Sequence, residues 1–80
     1  MSYKEGDRVR IKGIDWYDKH KDEYGRVPHE ISGFAFPFPM SRFCGEVVTI
    51  DVIDRDTIKI IEDNGYWAWH ENMMEDIAWK

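Results

Sequence analysis

Thr57-Ile58-Lys59-Ile60-Ile61-Glu62-Asp63-Asn64-Gly65-Tyr66-Trp67-Ala68-Trp69 is the stretch that decides the fold class. Asn-Gly between two strand-like runs is a strong hairpin signal, because a type I′ turn needs positive φ at both central residues. With Asn64 and Gly65 as the loop, Glu62 faces Trp67, Ile61 faces Ala68 and Ile60 faces Trp69. Residues paired across a hairpin share a face, so Ile58, Ile60, Trp67 and Trp69 form the expected core face. Lys59, Ile61, Tyr66 and Ala68 fall on the other, and a one-residue slip would exchange the two sets.

Working outward, Asp54-Arg55-Asp56 reads as a turn into this hairpin, and Phe43 to Ile53 as the strand before it, opened by Gly45. Near the N-terminus, Arg8-Val9-Arg10-Ile11-Lys12 alternates strictly. That pattern places Val9 and Ile11 inward and Arg8, Arg10 and Lys12 outward. After Trp69, the run from His70 to Asp76 reads as one helical or 3-10 turn, with Ile77-Ala78-Trp79 returning as a final strand. Residues 13–42 read as a long irregular loop. It holds Gly13-Ile14-Asp15-Trp16-Tyr17, a charged run from Asp18 to Glu23 that is either a solvated excursion or a short helical turn, and Phe34-Ala35-Phe36-Pro37-Phe38-Pro39. The two prolines are expected to hold Phe36 and Phe38 in extended geometry and to exclude helix there. Loops of this length are either functional or disordered, and the aromatic content argues for order. Small antiparallel sheets manage their edges by closing on themselves. The expectation is therefore an all-β, five-stranded barrel without a helix of useful length, one domain over 1–80 with its core in about 6–80.

Eighty residues fit one domain. A chain this short buries only about 60% of the surface its unfolded form exposes. Cys44 is its one cysteine, so no internal disulfide is available. Four Trp, four Tyr and four Phe carry the burden instead, each burying roughly 150–250 Å². A lone thiol and an N-terminal run with no apolar signal core point to the cytoplasm, and no stretch is long enough to span a bilayer. Net charge is −5, unevenly spread: residues 1–43 carry eight Lys or Arg against seven Asp or Glu, and residues 44–80 carry three against nine. Because nucleic-acid affinity is largely phosphate neutralisation, that acidic balance disfavours a general DNA or RNA binder, although a local basic face survives it.

The element order resembles the SH3-like barrel superfold over roughly 6–80, and the Gly6-Asp7-Arg8-Val9-Arg10-Ile11 opening looks like those of many such barrels. Gly13-Ile14-Asp15-Trp16, a charged loop and Gly45-Glu46-Val47-Val48 are similar to the Mind bomb type of SH3-like repeat. The chain departs from that pattern by the Phe/Pro-rich insertion at 34–39. Asp63-Asn64-Gly65-Tyr66-Trp67-Ala68-Trp69 with Met73-Met74-Glu75-Asp76 resembles small proteins of gut bacteria and their phages. The resemblance implies a ligand groove between the long first loop and the hairpin strands. Such barrels host peptide, nucleic-acid and structural roles alike.

Trp16, Tyr17, Phe36, Phe38 and Trp67 are the candidate ligand-binding residues. They admit two assignments: an aromatic groove of the kind that grips extended peptides, or a loop folded over an undersized core. Tyr66 could join an outer patch with Ile61 and Lys59. Arg8, Arg10 and Lys12 form a basic ladder that would touch phosphates, or would pair with Asp7, Glu5 and Glu46. His20, His29, His70 and Cys44 match no zinc spacing, and Asp54-Arg55-Asp56 is too short for a calcium loop. The acids at Asp51, Asp54, Asp56, Glu62 and Asp63 sit at turns, where carboxylates form turns and carry solubilising charge. No metal, cofactor or catalytic set is expected. The expected function is a non-catalytic protein- or peptide-binding module, monomeric or weakly dimeric; the alternative is a nucleic-acid-associated module using the Arg8/Arg10/Lys12 face.

Overall fold

The alternating run at the N-terminus is a strand, β1 (Arg8–Ile11), with Val9 and Ile11 buried and Arg8 exposed. The fold is that of a computed structural model describing residues 3–75 and 77. Three further strands follow: β2 (Val47–Asp54), β3 (Thr57–Ile60) and β4 (Met74–Glu75). They make one antiparallel sheet in the order β3-β2-β1-β4. Arg8 lies opposite Thr49 and Val9 opposite Val48, while Arg10 lies opposite Glu75 across the other edge of β1.

The five-stranded closed barrel is not formed: among the described residues the sheet has four strands and is open. Two features account for this. The outer edge of β3 is met only at a single bridge, Ile58 with Trp69. The concave face is covered by the segment expected to be an irregular loop, which contains helix α1 (Ile14–His20), helix α2 (His29–Ser32) and a 3-10 segment (Phe38–Phe43). Tyr17, Phe36 and Met40 from that segment are buried beside Val9, Ile11, Val48, Ile50, Ile58 and Ile60 of the sheet. Apolar surface that closing strands would otherwise cover is thus already covered.

Helix α1 is short for a helix that must stand alone. Asp15 in its first turn and Lys19 and His20 in its last complement the helix dipole. Packing does more. Trp16 stands edge-on to Phe36 at 5.3 Å between centroids, and Tyr17 is buried with its hydroxyl donating to the Gly25 carbonyl at 2.6 Å. The loop that follows is tied by Asp22, whose Oδ1 accepts from the Tyr24 and Arg26 main-chain N–H groups. The Arg26 N–H is the chief reason the Asp22 carboxyl lies below the usual carboxylate range. Val27 and Phe36 then pair as a lone bridge.

Three boundaries differ from expectation. Phe43 ends the 3-10 segment, so β2 begins at Val47. The prolines do not hold Phe36 and Phe38 in one extended run, because Pro39 sits in the first turn of the 3-10 segment, where its missing N–H is not needed. The return strand is Met74–Glu75, directly after a 3-10 turn at Glu71–Met73. Of the expected return strand at 77–79, Ile77 is not in a strand, and Ala78 and Trp79 lie outside the described residues.

Candidate functional site

Asp63 organises the end of the hairpin. Its Oδ1 accepts from the Gly65 N–H at 2.9 Å, and its Oδ2 from the Trp67 N–H at 3.2 Å and the Trp69 indole Nε1 at 2.9 Å. The Asn64-Gly65 turn is present, with φ of 56° and 72° and the Tyr66 N–H donating to the Asp63 carbonyl at 3.0 Å. The strands feeding it are not paired as expected. Ile61–Asp63 leaves β3 as a 3-10 turn, and Trp69 exchanges both main-chain hydrogen bonds with Ile58 rather than Ile60, at 2.8 and 2.9 Å. In place of strand pairing, the Ile61 and Ile60 carbonyls accept from the Asn64 and Gly65 N–H groups, at 2.9 and 3.2 Å. A shift of two residues preserves the faces, since side chains alternate with period two: Ile58, Ile60 and Trp69 are buried, and Ile61, Tyr66 and Ala68 are exposed. Trp67, expected in the core set, is only half-buried. Asp63→Asn replaces one charged acceptor oxygen with a donor, and is expected to cost about 1–2 kcal/mol in urea unfolding.

The pinned turn presents Tyr66, 75% exposed, edge-on to Trp67 with ring centroids 4.8 Å apart at 88°. Both rings border an open depression of about 280 Å³ shared with Arg42, Phe43, Glu62, Asp63 and Asn64. A second recess of about 200 Å³ adjoins it through Arg42, Phe43 and Glu62 and reaches Glu46, Val47 and Val48. The two together form a groove between the end of the 3-10 segment, the start of β2 and the hairpin turn. The Arg42 guanidinium lies over the Phe43 ring at 5.3 Å, and Arg42 has no ion pair among the described residues. Glu62 accepts the Thr49 N–H through both carboxylate oxygens, at 2.9 and 3.0 Å.

The sequence-derived candidates separate. Tyr17 and Phe36 are core residues with no surface to offer a ligand, because α1 and the bridge at Val27 fold them onto the sheet. Trp16 is half-buried against Phe36 and near His20 at 6.0 Å, and Phe38 is exposed at the start of the 3-10 segment. Neither lines the groove; Trp67 does. Arg42 and Phe43 were missed, and the Pro39 helix-start signal just before them is what could have found them. Of the expected Lys59–Ile61–Tyr66 patch, Ile61 and Tyr66 are exposed, and Lys59 Nζ donates to the Gly65 carbonyl at 3.2 Å.

On the basic ladder, Arg8 is exposed and Arg10 and Lys12 are half-exposed, and none forms an ion pair among the described residues. Two of the three acids expected to neutralise them are engaged elsewhere: Glu5 accepts from the Ile53 N–H and Asp7 from the Lys4 N–H, each at 3.0 Å. No three His, Cys, Asp or Glu residues converge as a metal site among the described residues. No helix there is long and apolar enough to cross a membrane. Burial, with a smaller effect from Asp18, pushes the Cys44 thiol from 9.0 up to about 11. At pH 8 its thiolate fraction is then about 100-fold below that of an ordinary cysteine. Alkylation by iodoacetamide should slow by a similar factor relative to a cysteine peptide, and equal rates would contradict the burial.

Comparison of the chain with protein-family models, with curated proteins and with solved structures finds no match.

Proposed function

We propose that the chain is a non-catalytic module that binds a peptide or protein segment in the groove between Arg42, Phe43, Tyr66 and Trp67. The observation that carries this is the Tyr66–Trp67 pair, held by Asp63, with Tyr66 facing solvent beside Arg42, an arginine without an ion pair among the described residues. Tyr, Trp and Arg dominate binding hot spots because they bring large contact area and directional hydrogen bonds. A turn already fixed by three hydrogen bonds to one carboxylate loses little freedom on binding.

Panning a random peptide display library against the immobilised chain tests this. Enriched peptides are expected to lose about tenfold or more in affinity for Tyr66→Ala and for Trp67→Ala. Tyr66 makes so little buried contact that its variant should fold normally. No enrichment, or enriched peptides indifferent to both substitutions, would contradict the proposal.

The second reading, nucleic-acid association through Arg8, Arg10 and Lys12, is favoured by the absence of ion pairs on that ladder among the described residues. It requires oligonucleotide binding that weakens steeply with salt. Anisotropy with single- and double-stranded probes at low salt decides it, and no binding removes it.

A further inference from the structure

The β1–β2 ladder uses alternate residues of β2. Ile11 N–H donates to the Glu46 carbonyl and Ile50 N–H to the Asp7 carbonyl, both at 2.9 Å. In an antiparallel ladder the intervening peptide groups, those of Val47 and Thr49, point to the opposite edge. That edge is paired with β3 from Ile50 onward, where Ile50 lies opposite Ile60. Beyond Ile60 the chain turns away as the 3-10 segment Ile61–Asp63. Among the described residues no strand therefore runs beside Val47–Thr49, and in place of a neighbouring carbonyl the Glu62 carboxylate accepts the Thr49 N–H. Val47 and Val48 of this stretch line the groove together with Arg42, Phe43 and Glu62, the last being the residue that covers the Thr49 N–H.

We infer that the groove takes an extended peptide that adds as a strand to β2 at Val47–Thr49, with a peptide carbonyl replacing Glu62 on the Thr49 N–H. The inference rests on the peptide-binding proposal above and says how the peptide is held. Three residues of edge span about 10 Å at the usual strand rise, enough for a short strand. Main-chain hydrogen bonds supply affinity in such additions, and pockets for alternate side chains supply selectivity. Trp67 and Tyr66 stand at the end of the groove to receive a side chain of the same peptide.

The test uses peptides recovered from the display library on the unaltered chain, resynthesised with N-methyl groups at one residue at a time. Strand addition predicts alternation: methylation at every second residue of a short stretch weakens binding about tenfold or more, and methylation between them has little effect. It also predicts slower hydrogen exchange of the Thr49 amide in the complex. Binding that needs Tyr66, is indifferent to N-methylation and leaves Thr49 exchange unchanged would overturn strand addition while leaving the groove proposal standing. A library that yields no binder would overturn both.

Discussion

Trp69→Ala is expected to remove a large share of the stability of this chain. Trp69 has no exposed surface and joins three parts of the structure. Its ring stands edge-on to Phe36 at 6.0 Å and to Phe43 at 5.6 Å, its main chain bridges Ile58, and its indole N–H donates to Asp63. Truncating a buried aromatic costs about 3–5 kcal/mol. A chain of this length has about 4–12 kcal/mol to lose. Urea unfolding followed by circular dichroism should show a shallow or absent transition for Trp69→Ala. Trp69→Phe keeps a ring but loses the N–H to Asp63, and should fall between the two. An unfolding free energy for Trp69→Ala within about 1 kcal/mol of the unaltered chain's would contradict the packing described.

Gly33→Ala is expected to cost about 2–4 kcal/mol, for two separate reasons. Gly33 closes α2 with φ of 88°, a conformation that side-chain-bearing residues rarely adopt. A β-carbon there would also lie 2.3 Å from the His70 ring. That ring cannot swing aside freely. It stands edge-on to Phe34 at 5.0 Å, and its Nδ1 accepts the Asn72 N–H that starts the 3-10 turn before β4. Removing the ring should relieve the clash but not the backbone strain. In a double-mutant cycle, His70→Ala should therefore recover about 1 kcal/mol or more of the Gly33→Ala loss. Strict additivity would show that the close approach to His70 is not the cause.

The face assignments were legible in the sequence because they depend only on parity. Val9 and Ile11 follow from alternation alone, and Ile58, Ile60 and Trp69 stay buried although their pairing moved by two residues. The pairing itself was not legible. It depends on the turn after Ile60, where the Ile60 and Ile61 carbonyls accept from the Gly65 and Asn64 N–H groups and Ile61–Asp63 curls out of the ladder. Alternation of apolar residues does not register a carboxylate such as Asp63 closing a tight turn through main-chain N–H groups. Helix α1 was hidden for a different reason: Ile, Asp, Trp and Tyr are indifferent helix formers, and packing of Tyr17 and Trp16 at Phe36 holds it.

Of the expected ligand-binding residues, Trp67 borders the proposed groove and two are buried in the core. Tyr17 and Phe36 carry the same aromatic signal as Trp67 but point inward, and composition cannot separate an aromatic that completes a small core from one that faces a ligand. Arg42 and Phe43 come to the groove only because the 3-10 segment delivers them beside β2 and the hairpin turn.

Backbone amide chemical-shift mapping of the isotope-labelled chain, titrated with display-selected peptides, tests the central claim most directly. Shifts confined to 42–49 and 62–67 are the predicted result. Shifts centred on Arg8, Arg10 and Lys12, or on Trp16 and Phe38, with the groove amides unmoved, would contradict it.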